Sequence, residues 1–240
     1  MSNVTSILGL ENTDTSEVLD FESLFYYCSK LESIDLSSLD TSNVTTMKNM
    51  FYHCTNLKTL DVSSFNTTNV LTMYNMFSEC DSLTTLDLSS LNNDSVTEIV
   101  AMFWGCDALE TIAMGNYSSG SLLYVDSLFS YCKSLKNIVW GDTDFSKVRS
   151  LYNVFGECNA LETVDLSVFK DSTITQTEKL FYNCNSLKSV DLSVLNTSEL
   201  RYMASMFYKC SSLTSINFTN FDTSNVISMK ELFYECKALT

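Results

Sequence analysis

The sequence predicts an α/β solenoid: a right-handed coil with a parallel β-sheet on its concave face and short helices on its convex face. Three observations predict it. Cysteine recurs at a fixed interval, phenylalanine and leucine flank every cysteine at fixed offsets, and within each interval the apolar period switches from two to about three.

Cys28, Cys54, Cys80, Cys106, Cys132, Cys158, Cys184, Cys210 and Cys236 follow one another at steps of 26 residues without exception. Three residues before each stands a phenylalanine, from Phe25 to Phe233, and three residues after each a leucine, from Leu31 to Leu239. Intervals without a single insertion mean that every unit stacks on the previous one in the same way. A period of 26 falls in the leucine-rich-repeat window.

After the leucine, Ser33, Asp35 and Ser37 alternate with Ile34 and Leu36. Period two is a strand with one face inward. Further on, Val44, Met47, Met50, Phe51 and Cys54 recur at steps of three, three, one and three, one face of a helical turn or short helix. Thr41, Ser42 and Asn43 precede it as capping side chains. A single unit cannot bury its own apolar face, but stacked units can, their strands spaced by about 4.8 Å. Residues 1–240 therefore form one domain of about nine units, with 1–27 a degenerate first unit and 237–240 the start of an incomplete last one.

The 240 residues carry 29 acidic and 14 basic side chains, a formal net charge of -15. Such a balance excludes nucleic acid, whose phosphates need a basic face, and disfavours anionic membranes. No apolar stretch of about 18 residues exists, so membrane insertion is not expected. The start, Met1 to Leu8, has no basic segment of the signal-peptide kind.

The run Met50-Phe51, Cys54, Leu57, Leu60-Asp61-Val62-Ser63, Phe65, Thr67, Val70 and Met73 resembles the BspA-like, Treponema-type leucine-rich repeat in its DUF285 variant. The resemblance covers essentially the whole chain. It implies a curved solenoid of bacterial or protist surface proteins, serving adhesion or host binding, with no catalytic residues. The units around 111–145 depart from it, Ala113 and Val139 standing where aspartate is usual.

In a repeat of fixed length each position becomes a ladder. The cysteines are expected to pack as small buried hydrophobes. Disulfides are disfavoured because parallel side chains do not point at one another, and zinc because no Cys-x-x-Cys pair exists and the chain has a single histidine. Asp35, Asp61, Asp87, Asp165 and Asp191 form a second ladder, with Thr111, Ala113, Asn137 and Val139 as an uncharged patch in its middle. Neighbouring carboxylates about 5 Å apart repel by roughly 1 kcal/mol in water. Hydroxyls such as Ser33, Thr59 and Thr85 are expected to offset this as donors, with a bridging calcium ion the alternative. Glu110, Lys136, Glu162 and Lys188 alternate in sign and read as a register device. Tyrosines and Trp104 crowd the positions just before the cysteines. His53 has Tyr27, Glu79 and Gly105 as counterparts, so it reads as a surface residue at a tolerant position.

No nucleophile–base pair, phosphate loop or metal signature is present. The expectation is a non-catalytic module without cofactor or metal. It binds a protein or surface glycan on the concave face, through Asp35, Asp61, Asp87, Thr111, Ala113, Asn137, Val139, Asp165 and Asp191. The alternative is a structural spacer or fibre unit that self-associates end to end. The resemblance places it at the cell surface or secreted within a longer chain; as a complete protein it would be cytoplasmic.

Overall fold

The computed structural model describes residues 3–240, so the first two residues of the degenerate first unit lie outside it. Successive 26-residue units lie directly on one another, which is seen in the pairing register. β1 (Thr85–Asp87), β2 (Thr111–Ala113) and β3 (Asn137–Val139) form a parallel sheet in that order. β4 (Ser189–Asp191) and β5 (Ser215–Asn217) form a second parallel pair. Thr85 faces Thr111, which faces Asn137, and Ser189 faces Ser215. Units without a named strand keep the same stacking bond: the Lys58 N–H donates to the Glu32 carbonyl at 2.9 Å, as Lys188 does to Glu162.

The opposite side corrects the expectation of convex helices. Among the described residues there is no α-helix, and the only helical pieces are 3₁₀ turns at Leu10–Asn12 and Ser167–Phe169. Between Met47 and Cys54 the backbone N–H groups alternate between two jobs. Those of Met47, Asn49, Phe51 and His53 donate to Thr72, Tyr74, Met76 and Ser78 in the next coil, at 2.8–3.1 Å. Those of Met50, Tyr52 and Cys54 close tight turns onto Met47, Asn49 and Phe51, at 3.1–3.2 Å. The apolar steps of three reflect these turns.

Width is the physical reason. Along the coil axis the phenylalanine rings recur every 5.2–6.0 Å. An α-helix is about 10 Å across, so helices cannot stack at that pitch. Alternating turns can, provided two residues per unit adopt the left-handed conformation. These lie five residues and one residue before the cysteine: Asn49 and His53 at φ 55° and 59°, Asn75 and Glu79 at 53° and 58°, Ala101 and Gly105 at 52° and 75°. Left-handed backbone costs an L-residue about 1–2 kcal/mol. Neither position is ever β-branched along the chain. The His53 position is therefore restricted, not tolerant, and the restriction is one of backbone shape.

The core is one continuous column. The phenylalanines from Phe51 to Phe207 are fully buried and stack nearly parallel, at interplanar angles of 7–11°. Each such contact adds about 0.5–1.5 kcal/mol beyond area burial. Every cysteine from Cys28 to Cys210 is buried and free, and Cys236 is half-buried. These thiols do more than fill space. Each from Cys54 onward donates to the carbonyl of the phenylalanine 29 residues earlier: Cys54 to Phe25 at 3.2 Å, Cys132 to Phe103 at 3.0 Å, Cys236 to Phe207 at 2.9 Å. The ladder is thus a line of inter-coil hydrogen bonds in a dry column.

A third buried ladder uses threonine. Thr41 and Thr67, both buried, donate to the carbonyls of Asn66 and Asn92 at 3.0 and 2.7 Å. Asn93 takes the next rung and breaks it. Among the described residues, its side-chain amide and the Tyr117 hydroxyl are the buried polar groups without a partner. Leaving such groups unsatisfied costs about 1–3 kcal/mol each.

Candidate functional site

The predicted aspartates lie exposed on the strand face, at the ends of the strand segments. The donors that hold them differ from those expected. The carboxylate of Asp35 accepts the backbone N–H of Ser37 at 3.0 Å, that of Asp61 the N–H of Ser63 at 2.9 Å, and that of Asp87 the N–H of Ser89 at 2.9 Å. Asp165 and Asp191 do the same with Ser167 and Ser193, at 2.8 and 2.9 Å. No bond joins these carboxylates to Ser33, Thr59 or Thr85 among the described residues. The reason is local: an aspartate two residues before a serine closes an Asx turn, and the chain bends there as it leaves the strand.

These turns also set the electrostatics. Hydrogen bonds from the backbone and hydroxyl of Ser37 hold Asp35 below its ordinary value, and bonds to the hydroxyl and backbone of Ser63, Ser89 and Ser193 do so for Asp61, Asp87 and Asp191. These four carboxylates are therefore charged, and the whole row is held in place by its turns, before any partner arrives. Each carboxylate serves its own turn, and that of Asp191 also accepts from the Asn217 side-chain amide of the next strand at 3.0 Å. Among the described residues, no three His, Cys, Asp or Glu side chains converge on a point that could hold a metal ion. A second series of Asx turns, at Asp14, Asp40, Asn66, Asn92, Asn196 and Asp222, fixes the next corner.

In the middle of the row the register brings the four uncharged residues together. Thr111 faces Asn137 and Ala113 faces Val139, whose side chain is 54% exposed. On one side Asp87 adjoins Ala113. On the other, a hollow of about 220 Å³ runs from Asn137 and Ile138 over Trp140 to Val164 and Asp165. A groove of about 340 Å³ between Asp61 and Asp87 is lined by Thr59, Ser63, Thr85 and Ser89. The face thus offers hydroxyl-lined acidic grooves around an uncharged centre that exposes Val139.

The charged ladder beside it forms separate pairs. Lys58 meets Glu32 at 2.7 Å, Lys136 meets Glu110 at 2.9 Å and Lys188 meets Glu162 at 2.6 Å, all well exposed. Each contributes at most about 1 kcal/mol. Reading from sequence missed the thiol donors and the serine N–H donors. The fixed cysteine-to-phenylalanine offset and the Asp-x-Ser repetition were the available signals.

The profile of the family described as "Mycoplasma protein of unknown function, DUF285" matches residues 1–116 and 149–240. The unmatched stretch contains Tyr117 and Val139. A search of curated proteins finds no match. Among solved structures, the chain is similar to a leucine-rich cell surface protein from Faecalibacterium prausnitzii, with 19% identity, 82% of this chain and 68% of that chain covered, and a TM-score of 0.42. It is also similar to the T. pallidum leucine-rich repeat protein, with 16% identity, 87% and 77% coverage and a TM-score of 0.38. A Listeria monocytogenes internalin has 14% identity, 90% and 62% coverage and a TM-score of 0.29.

Proposed function

The chain belongs to the DUF285 family, and we propose that it is a non-catalytic interaction module that docks a partner protein, or a surface glycan, on its strand face. One observation carries this reading. The exposed aspartates are pre-ordered by their own turns on both sides of an uncharged centre with Val139 at its middle. A surface already ordered loses little conformational entropy on binding. Charge around an apolar centre steers association and fixes register. The matching partner presents basic groups around an apolar contact.

The remaining parts of the reading follow from it. The whole chain acts as one domain, coiled right-handed as parallel crossovers prefer, with the strand face concave. It works at the cell surface or outside the cell. Among the described residues no helix is long and apolar enough to cross a membrane.

The test measures binding to purified surface proteins and a glycan array. It compares the chain with the triple variant Asp35→Asn, Asp61→Asn, Asp87→Asn and with Val139→Glu. Binding is expected to weaken about 10-fold or more in both variants, with circular dichroism unchanged. Undiminished binding in both overturns the reading. Light scattering against concentration checks the structural alternative, in which exposed Phe218, Ile227 and Met229 of the last coil seat on another copy. A steady monomer disfavours it.

A further inference from the structure

Away from the strand face, the residues just before each cysteine form an aromatic edge. Tyr26 stacks on Tyr52 at 5.1 Å, and Tyr182, Tyr208 and Tyr234 follow one another at 4.7 and 4.8 Å. Between these two stacks the pattern breaks. Trp104 and Tyr131 stand 5.4 Å apart at 61°, an edge-on corner. Gly105 occupies the left-handed position there at φ 75°, and a Cβ on it would come 3.3 Å from the Glu79 side chain. The corner opens as a cleft of about 400 Å³.

Carboxylates complete the lining, and two of the three are already engaged. Glu79 binds His53 Nδ1 and accepts from the Tyr52 hydroxyl at 3.0 Å. Asp107 pairs with Lys133 at 2.7 Å. The Asp81 carboxylate has neither a hydrogen bond nor an ion pair among the described residues. Partial desolvation, then the charges of Asp107 and Glu79, hold the exposed Asp81 above its ordinary value, with His53 and Lys133 pulling the other way. A cation beside it relieves that crowding, and an aromatic face within about 6 Å attracts the same cation.

We propose that this cleft is a second binding site, which takes the side chain of an arginine displayed by a partner protein. A guanidinium is planar and weakly hydrated, so it stacks on the Trp104 ring while its fork meets the free Asp81 carboxylate. The ammonium of lysine has neither the plane nor the fork. Lys133, held by Asp107, leaves Asp81 as the acceptor. The site uses residues one and two before and one after the cysteines, and it shares none with the aspartate row.

The experiment uses the full chain labelled with nitrogen-15. Its two tryptophans give two indole N–H resonances, and Trp140 is only 7% exposed. Acetyl-arginine amide is titrated to about 50 mM, enough to detect a weak fragment. The Trp104 resonance is expected to move saturably while that of Trp140 stays still. Acetyl-citrulline amide, neutral and of similar shape, is expected to move neither. Asp81→Asn removes a charge from an exposed side chain and is expected to weaken binding about 5-fold or more. Asp61→Asn on the strand face is expected to leave it unchanged, so this site and the strand-face reading can fail separately. No saturable shift, an equal response to citrulline amide or to methyl glucoside, or undiminished binding by Asp81→Asn would overturn the proposal.

Discussion

Cys132 sits in the middle of the thiol column, fully buried, with its sulfur 3.0 Å from the Phe103 carbonyl of the previous coil. That carbonyl also accepts the Cys106 N–H at 3.2 Å, so removing the thiol leaves it weakened but not orphaned. Cys132→Ala loses the burial of one sulfur, about 1 kcal/mol, and one weak hydrogen bond, about 0.5–1 kcal/mol. The expected destabilisation is about 1.5–2 kcal/mol in urea unfolding followed by circular dichroism. Cys132→Ser separates the two roles of the thiol. If the sulfur were only an apolar filler, a hydroxyl would be worse than a methyl, because a polar group would be buried for nothing. If it is a donor, the hydroxyl replaces the bond and serine is at least as stable as alanine. Serine less stable than alanine by about 1 kcal/mol or more would refute the hydrogen-bonding role of the column.

Three further outcomes are expected. Ala101 is held at φ 52° in a turn whose Trp104 N–H donates to the Ala101 carbonyl at 3.0 Å, so Ala101→Gly should raise stability by about 1 kcal/mol and Ala101→Val lower it by about 2 kcal/mol in the same assay. Tyr117 is buried with its hydroxyl unpartnered, so Tyr117→Phe should raise the melting temperature, by about 1 kcal/mol in stability. Burial pushes the Cys54 and Cys106 thiols up to about 12 from 9.0, so the unfolded chain loses these protons first as pH rises. Their contribution is intact below pH 9 and is lost on the way to pH 12, at up to about 1.4 kcal/mol per thiol per pH unit, measured by urea midpoints against pH.

Much of this architecture was legible because an invariant period leaves few choices. The 26-residue cysteine interval dictates which side chains stack on the strand face, and the structure pairs Thr85 with Thr111 and Thr111 with Asn137 in that register. The alternation around Ile34 and Leu36 gave the inward face, and the phenylalanine and thiol columns lie where the fixed offsets put them. The helix was misread because turns of three and a helical face share their apolar spacing over two turns. Only the absence of β-branched residues at positions such as Asn49 and His53 could have separated the two.

The sequence by itself determined the stacking partner along the strand and thiol columns, since position within the period is a one-dimensional property; at the corner after the strands, Asn92 pairs with Asn116 and Thr173 with Asn196, out of step with that period. Tertiary structure alone decided how each backbone N–H is shared between its own turn and the next coil. That choice depends on the pitch, which packed phenylalanine rings set at 5.2–6.0 Å. It also decided that Trp104, Gly105 and Asp81 open a cleft. Three residues from two units meet there only once the coils lie on one another.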